Sequence, residues 1–226
     1  MRKKLELILV MFTLAGLIMV SKKLETYVAS DKVEKKEYTV ILDAGHGAVD
    51  AGKVGINGVL EKDINLLIAK KTKKYLEKNG IYVLMTREKD SLLAEGEKGS
   101  RKIQDMKARV KLINETKPDL AVSIHQNSYH EENVHGAQVF YYEHSRDGEK
   151  DAMILQKSLL GVDPDNTRQP KANTTYYLLK RTEVPILIVE CGFLSNREEA
   201  EKLSSEEYQK QIAEAIANGI ESCLKD

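Results

Sequence analysis

Four ionisable residues occupy positions where distant parts of a chain can meet. His46 sits between Gly45 and Gly47, just after the apolar run Val40–Leu42. Glu61 opens a segment with helical spacing, His125 follows "AVSI", and Glu190 interrupts the otherwise apolar "PILIVECGF". Two imidazoles and one carboxylate are a common ligand set for a catalytic zinc whose fourth position is left for water. His46 and His125 supply the imidazoles. Glu61 is the best carboxylate, because a residue that opens a helix sits beside the loops at strand ends. Such a metal polarises a carbonyl and lowers the pKa of water to about 7. A second carboxylate must then take the water's proton and pass it to the leaving amine, and Glu190 fits that role.

Each residue also has a plainer reading. His46 could be a loop residue held by a turn hydrogen bond, Glu61 could complement a helix dipole, and His125 could be a satisfied core histidine. Glu190 is hardest to explain away, because an unpaired charge among Ile186, Leu187, Ile188 and Val189 is costly without a partner or a task. The gaps between these residues form no compact motif such as HExxH, so spacing alone does not decide the matter. Asp43 and Asp50 compete for the metal, and Asp43 reads better as an acceptor that orients the loop. His130, His135 and His144 read as solvated loop residues.

The elements that position these residues alternate between strand and helix. "YTVIL" (Tyr38–Leu42) reads as a buried strand, followed by a helix over Glu61–Gly80 with Ile64, Leu67, Ile68 and Tyr75 near helical spacing. Strands follow at Ile81–Thr86, Asp119–His125, Gly136–Tyr142, Tyr176–Leu179 and Pro185–Phe193, the last and most apolar one near the sheet centre. Helices read over Lys102–Thr116, Gly148–Leu160, Arg197–Leu203 and Glu206–Leu224, and "VDPDNTRQPKANTT" reads as a loop. The pattern implies an α/β fold of three layers: a twisted, mostly parallel sheet of six strands with helices on both faces. In such sheets functional residues gather at the carboxyl ends of strands, where His46, His125 and Glu190 all fall.

The whole chain has 226 residues, and 35 basic residues balance 35 acidic ones. That balance argues against a nucleic-acid partner. Cys191 and Cys223 make no disulfide framework, and they read as reduced and at least partly buried. Residues 1–20 pair a basic start, "MRKK", with an apolar run from Leu7 to Val20. That run suits a secretory signal peptide and is short of the roughly 20 residues of a membrane span. An uncleaved signal anchor is the competing reading, since "MVSKK" offers no A-x-A-like cleavage site. Residues 21–36 read as a polar linker and 37–226 as the catalytic domain. The expectation is an exported protein that touches the membrane only through its N-terminal segment.

Five stretches, "VILDAGHG", "GVLEKDINLLIA", "VLMTR", "AVSIHQN" and "VPILIVECGFLSN", carry a specific resemblance. In this order they resemble the zinc-dependent N-acetylmuramoyl-L-alanine amidases of the amidase-3 family, from Thr39 to about Gly219. The resemblance implies Zn2+ held by His46, Glu61 and His125, with Glu190 as catalytic acid/base. It implies cleavage of the amide between N-acetylmuramic acid and the L-alanine of peptidoglycan stem peptides. "LEKDINL" and "NTRQPKANTTYYLLKRTEVP" are similar to the germination-specific amidases of endospore formers. Those act on cortex peptidoglycan so that muramic-δ-lactam can form after a deacetylase step. That implies a place at the outer face of the membrane, or in the forespore intermembrane space and cortex. The loop departs from the family pattern at Ala44, Ala48 and Ala51, as does Gln126, which bears on substrate fit rather than chemistry. A zinc peptidase acting within the stem peptide and a catalytically idle wall-binding scaffold are the alternatives. With no wall-binding repeat in the chain, an accessory protein for localisation or activation is expected. Asn127 and Arg168 are candidates for substrate contact, each with a structural role as its rival.

Overall fold

The computed structural model describes residues 38–94 and 100–226, so the leader and linker expected over residues 1–36 lie outside the described residues. Six strands form one sheet: β1 (Thr39–Ala44), β2 (Tyr82–Met85), β3 (Leu120–Asn127), β4 (Gln138–Tyr142), β5 (Lys171–Asn173) and β6 (Ile186–Phe193). Their order is β2-β1-β3-β6-β4-β5. All neighbours run parallel except β4 and β6, which are antiparallel. The described residues also form six helices, α1 (Glu61–Lys78), α2 (Arg101–Thr116), α3 (Arg146–Leu160), α4 (Tyr177–Arg181), α5 (Arg197–Ser204) and α6 (Glu206–Lys225). Among the described residues no helix is long and apolar enough to cross a membrane.

Alternation along the strands divides the core between two faces. Val40, Leu42, Val122, Ile124, Leu187 and Val189 pack with residues of α1, α3 and α6. Ile41, Ala121, Ile186 and Ile188 point the other way, onto α2 and α4. Strands buried on both faces must be apolar throughout, which is why β6 reads as a continuous hydrophobic run and lies inside the sheet.

One expected strand is corrected. Tyr176–Leu179 is not a strand: Tyr177–Arg181 forms α4, and the sixth strand lies earlier, at Lys171–Asn173 within the stretch read as loop. The Asn173 side chain explains the change. Its Oδ1 accepts from the backbone N–H groups of Thr175 (2.7 Å) and Tyr176 (2.8 Å), which turns the chain out of the sheet. Lys180 N–H then reaches the Tyr176 carbonyl and closes a helical turn. Leu178 and Leu179 are buried in either conformation, so a four-residue apolar run could not separate the two.

Candidate active site and metal centre

Parallel pairing delivers the ends of β1, β3 and β6 to one place. Ala44 is in register with Ile124, and His125 with Glu190. Beyond β1 the chain turns sharply, with His46 at φ 63° and Ala48 at φ 47°. Side chains adopt that left-handed region at a cost of roughly 1–2 kcal/mol each, so something must hold the loop there. Arg87 and Arg109 do so. Arg109, 1% exposed, donates to the carbonyls of Ala44 (2.9 Å) and His46 (2.6 Å). Arg87 donates to Ala44 (2.9 Å) and Gly45 (3.0 Å), and also to the Lys62 carbonyl at 2.7 Å. Asp90 fastens the far side, accepting from Ala48 N–H (2.6 Å) and from Lys62 Nζ (2.7 Å).

Asp43 is the acceptor expected of it, though it organises more than a loop. It is buried and takes bonds from Thr86 Oγ1 (2.7 Å), Ser123 Oγ (2.5 Å) and Arg109 (2.7 Å), which joins three strands to α2. Burial pushes its carboxyl up, but Arg109 and the two hydroxyls outweigh that and hold it below the usual carboxylate range.

His46, Glu61 and His125 converge. Glu61 Oε1 lies 3.1 Å from His46 Nε2 and 2.9 Å from His125 Nδ1. The rings meet edge to face, with centroids 4.9 Å apart. Gly45 permits this approach, since a Cβ there would collide with the His125 ring. Glu61, 2% exposed, starts α1 with its other oxygen fixed by Lys53 N–H at 2.7 Å. Asn65, one turn further along α1, reaches both Glu61 Oε1 and the Gly45 carbonyl, and it accepts from Gln126 Nε2. Burial raises the Glu61 carboxyl, but the imidazoles overcome this and hold it well below the ordinary range. Burial would lower His125, yet Glu61 and Glu190 raise it. The site therefore favours positive charge beside Glu61.

The donor set meets the requirements of a metal. The three ligand atoms lie within 4.8 Å of one another. Donors at tetrahedral corners around zinc would stand roughly 3.3 Å apart, which follows from bond lengths of about 2.0–2.2 Å. Asp43 and Asp50 stay out of the cluster. Asp50 instead contacts the outer nitrogen of His46, Nδ1, at 2.9 Å.

Glu190 lines the same open cleft, whose volume is about 420 Å³, together with His46, Glu61 and His125. It is 7% exposed, and its Oε2 has no hydrogen-bond partner among the described residues. Burial pushes the carboxyl up to about 7, with the Glu61 charge adding to the effect and the imidazoles opposing it. Strand β6 continues for three residues beyond it, so the acid lies within the strand rather than at its end. Asn127 lines the cleft, while its Oδ1 accepts from Ser128 N–H. Arg168 is not part of the cleft lining: it donates to His135 O and Gln138 Oε1 and stacks over the Phe193 ring. His130, His135 and His144 are exposed, and both cysteines are free. The sequence offered no signal for Arg109 or Asn65. Each reads locally as an ordinary helix residue, and only the i+4 offset from Glu61 to Asn65 hinted at a link.

The chain is 41% identical over 184 residues to a germination-specific N-acetylmuramoyl-L-alanine amidase of Bacillus subtilis (strain 168), covering 80% of this chain and 77% of that one. It is 34% identical to the protein YqiI of the same strain, over 86% and 87% of the two chains. Among solved structures, that of the CwlD amidase from Clostridioides difficile in complex with the GerS lipoprotein superposes with a TM-score of 0.81. The identity there is 38%, covering 84% of this chain and 99% of that chain. The catalytic domain of CwlV, an N-acetylmuramoyl-L-alanine amidase from Bacillus (Paenibacillus) polymyxa var. colistinus, follows with a TM-score of 0.74 and 30% identity, over 83% and 98% of the chains. A family profile matches residues 40–222, nearly all of the described fold, and by that match this chain belongs to the N-acetylmuramoyl-L-alanine amidase family Amidase_3.

Proposed function

We propose that this chain is an exported zinc amidase that hydrolyses the bond between the lactyl group of N-acetylmuramic acid and L-alanine in spore-cortex peptidoglycan. One observation carries the reading. A three-donor cluster and a buried carboxylate with an unpartnered oxygen share one cleft. His46, Glu61 and His125 would hold the ion. When bound, zinc supplies Lewis acidity to the amide carbonyl and makes water acidic enough to lose a proton near neutral pH.

The remaining chemistry falls to the protein. Glu190 takes a proton from the attacking water as its oxygen bonds to the carbonyl carbon. It then gives that proton to the alanine nitrogen as the carbon–nitrogen bond breaks. Burial raises this carboxyl in the metal-free fold, which offsets the lowering a bound cation would cause and keeps it able both to take and to give a proton. Arg109 and Arg87 fix the His46 loop, and Asn65 fixes the Glu61 carboxylate.

Export rests on the N-terminal segment, and the spore-cortex setting on the germination-specific relative. An accessory protein is part of this proposal, since the CwlD structure contains a lipoprotein partner. Full activity of the isolated chain on cortex fragments would count against that part.

Mass spectrometry of cortex fragments treated with the zinc-loaded protein, alone and with spore-envelope extract, tests the activity. The expected products are a peptide beginning with alanine and an intact glycan. Cleavage within the stem peptide would assign a peptidase, and zinc binding without turnover in either condition would favour a scaffold. Glu190→Ala should retain zinc and fold while losing roughly 10²–10⁴-fold in rate, the usual scale for a general acid/base.

A further inference from the structure

We propose that Asp50 is a positioning residue for the metal centre: its carboxylate accepts the Nδ1 proton of His46 and so commits Nε2 to the cation. The proposal rests on the zinc reading above. A neutral imidazole carries its single proton on either nitrogen, and the ring itself has little preference. At His46 the two nitrogens face different groups. Nε2 lies 3.1 Å from Glu61 Oε1, inside the donor cluster, while Nδ1 lies 2.9 Å from Asp50 Oδ2. With a cation in the cluster, Glu61 and the Nε2 lone pair would both turn to it, which leaves Asp50 as the carboxylate that accepts the Nδ1 proton.

The backbone is shaped to make this contact. Asp50 is four residues from His46, outside any helix, and would not ordinarily face it. Gly47 and Asp50 exchange both backbone bonds, at 3.0 and 2.9 Å, and this folds residue 50 back over residue 46. Gly47 holds φ 143° to close that turn, a conformation side chains rarely adopt. Lys102 of α2 then steadies the carboxylate, with Nζ 3.2 Å from Oδ2 and 3.4 Å from Oδ1. Among the described residues no carboxylate hydrogen-bonds to the second ring nitrogen of His125. Its Nδ1 faces Glu61, and its orientation comes from packing against His46 and the space left at Gly45. Asp50 is therefore the carboxylate that holds the outer nitrogen of His46.

Asp50→Ala and Asp50→Asn test this by zinc affinity, measured in competition with a chromophoric chelator. The expectation is a dissociation constant about 10–100-fold weaker for Asp50→Ala, the range typical for loss of an outer-shell carboxylate. Asp50→Asn keeps an acceptor oxygen and should recover part of the loss. Nitrogen-15 NMR of the zinc-loaded wild type should find a proton on His46 Nδ1, shifted downfield and protected from exchange by the Asp50 carboxylate, with both marks lost in Asp50→Ala. Circular dichroism establishes that both variants fold, and should Asp50→Ala fail to fold, Asp50→Asn and the wild-type Nδ1 proton in the zinc-loaded protein still decide. An unchanged affinity in both variants, or a wild-type His46 Nδ1 that carries no exchange-protected proton when zinc is bound, overturns the proposal. A loss of zinc binding comparable to that of His46→Ala would make Asp50 a ligand instead, and overturns it too. Failure of wild type to bind zinc at all would sink the metal reading itself, which is a different result.

Discussion

Glu190 shows how one residue couples chemistry to stability. Its carboxyl titrates at about 7 in the metal-free fold, above an ordinary value of 4.5, so the native state holds its proton more tightly than the unfolded chain does. The resulting stability is complete below pH 4.5 and is lost as pH rises through 7, by about 3 kcal/mol at most. Glu190→Gln cannot ionise. Urea unfolding of the metal-free proteins should therefore find the variant gaining on wild type between pH 5 and pH 8. A constant difference across that range would mean that Glu190 carries no raised pKa. This residue was legible in the sequence for the same physical reason: an acid inside "PILIVECGF" is expensive without a task. Arg109 was not legible, since nothing near it in sequence marks a buried charge, and its partners Asp43 and His46 lie more than sixty positions away.

At the level of elements, α2 is fastened to the sheet by charge as much as by packing. Arg109 pairs with Asp43 and, within its own helix, with Asp105, both at 2.7 Å and all nearly sealed from solvent. Removing one member of such a set leaves uncompensated buried charge, at a cost of about 3–5 kcal/mol. Arg109→Leu should lose that much in urea unfolding at pH 7, with Asp43 the chief cause. Lowering the pH should narrow the gap: without Arg109 the chief cause of the depression is gone, so the variant's stranded charge is neutralised first, and wild type loses its pair only further down, through the depressed Asp43 range. The elements themselves were mostly readable: long periodic segments such as α1 and α6 announced themselves, and so did β6. What failed was short and context-dependent. "YYLL" became α4 because an Asn173 turn intervened, and α3 begins at Arg146, two residues before the expected Gly148, because Ser145 caps it by accepting from Gly148 N–H.

Across the whole molecule, the core and the candidate site are separable. Two apolar layers close on either side of the sheet without any of the four site residues. Such a fold should persist without metal, unlike small domains that unfold when chelated. Zinc at a hundredfold excess over its dissociation constant should add about 2.7 kcal/mol. For a domain of this size that corresponds to a shift of roughly 5–11 °C in the melting midpoint. Calorimetry with and without chelator should record that shift with near-native far-ultraviolet dichroism retained on both sides. Loss of the dichroism on chelation would place the metal among the structural supports.

The guanidinium groups of Arg87 and Arg109 engage the carbonyls of Ala44, Gly45 and His46. Oxygen atoms used in this way are withdrawn from the pool a hard cation needs. Calcium, which gathers six to eight oxygens, would find little beyond the carboxylates of Glu61 and Glu190 here, whereas a borderline ion is content with two imidazoles and one carboxylate. The same bonds that brace the turn thus filter which ion can compete for it.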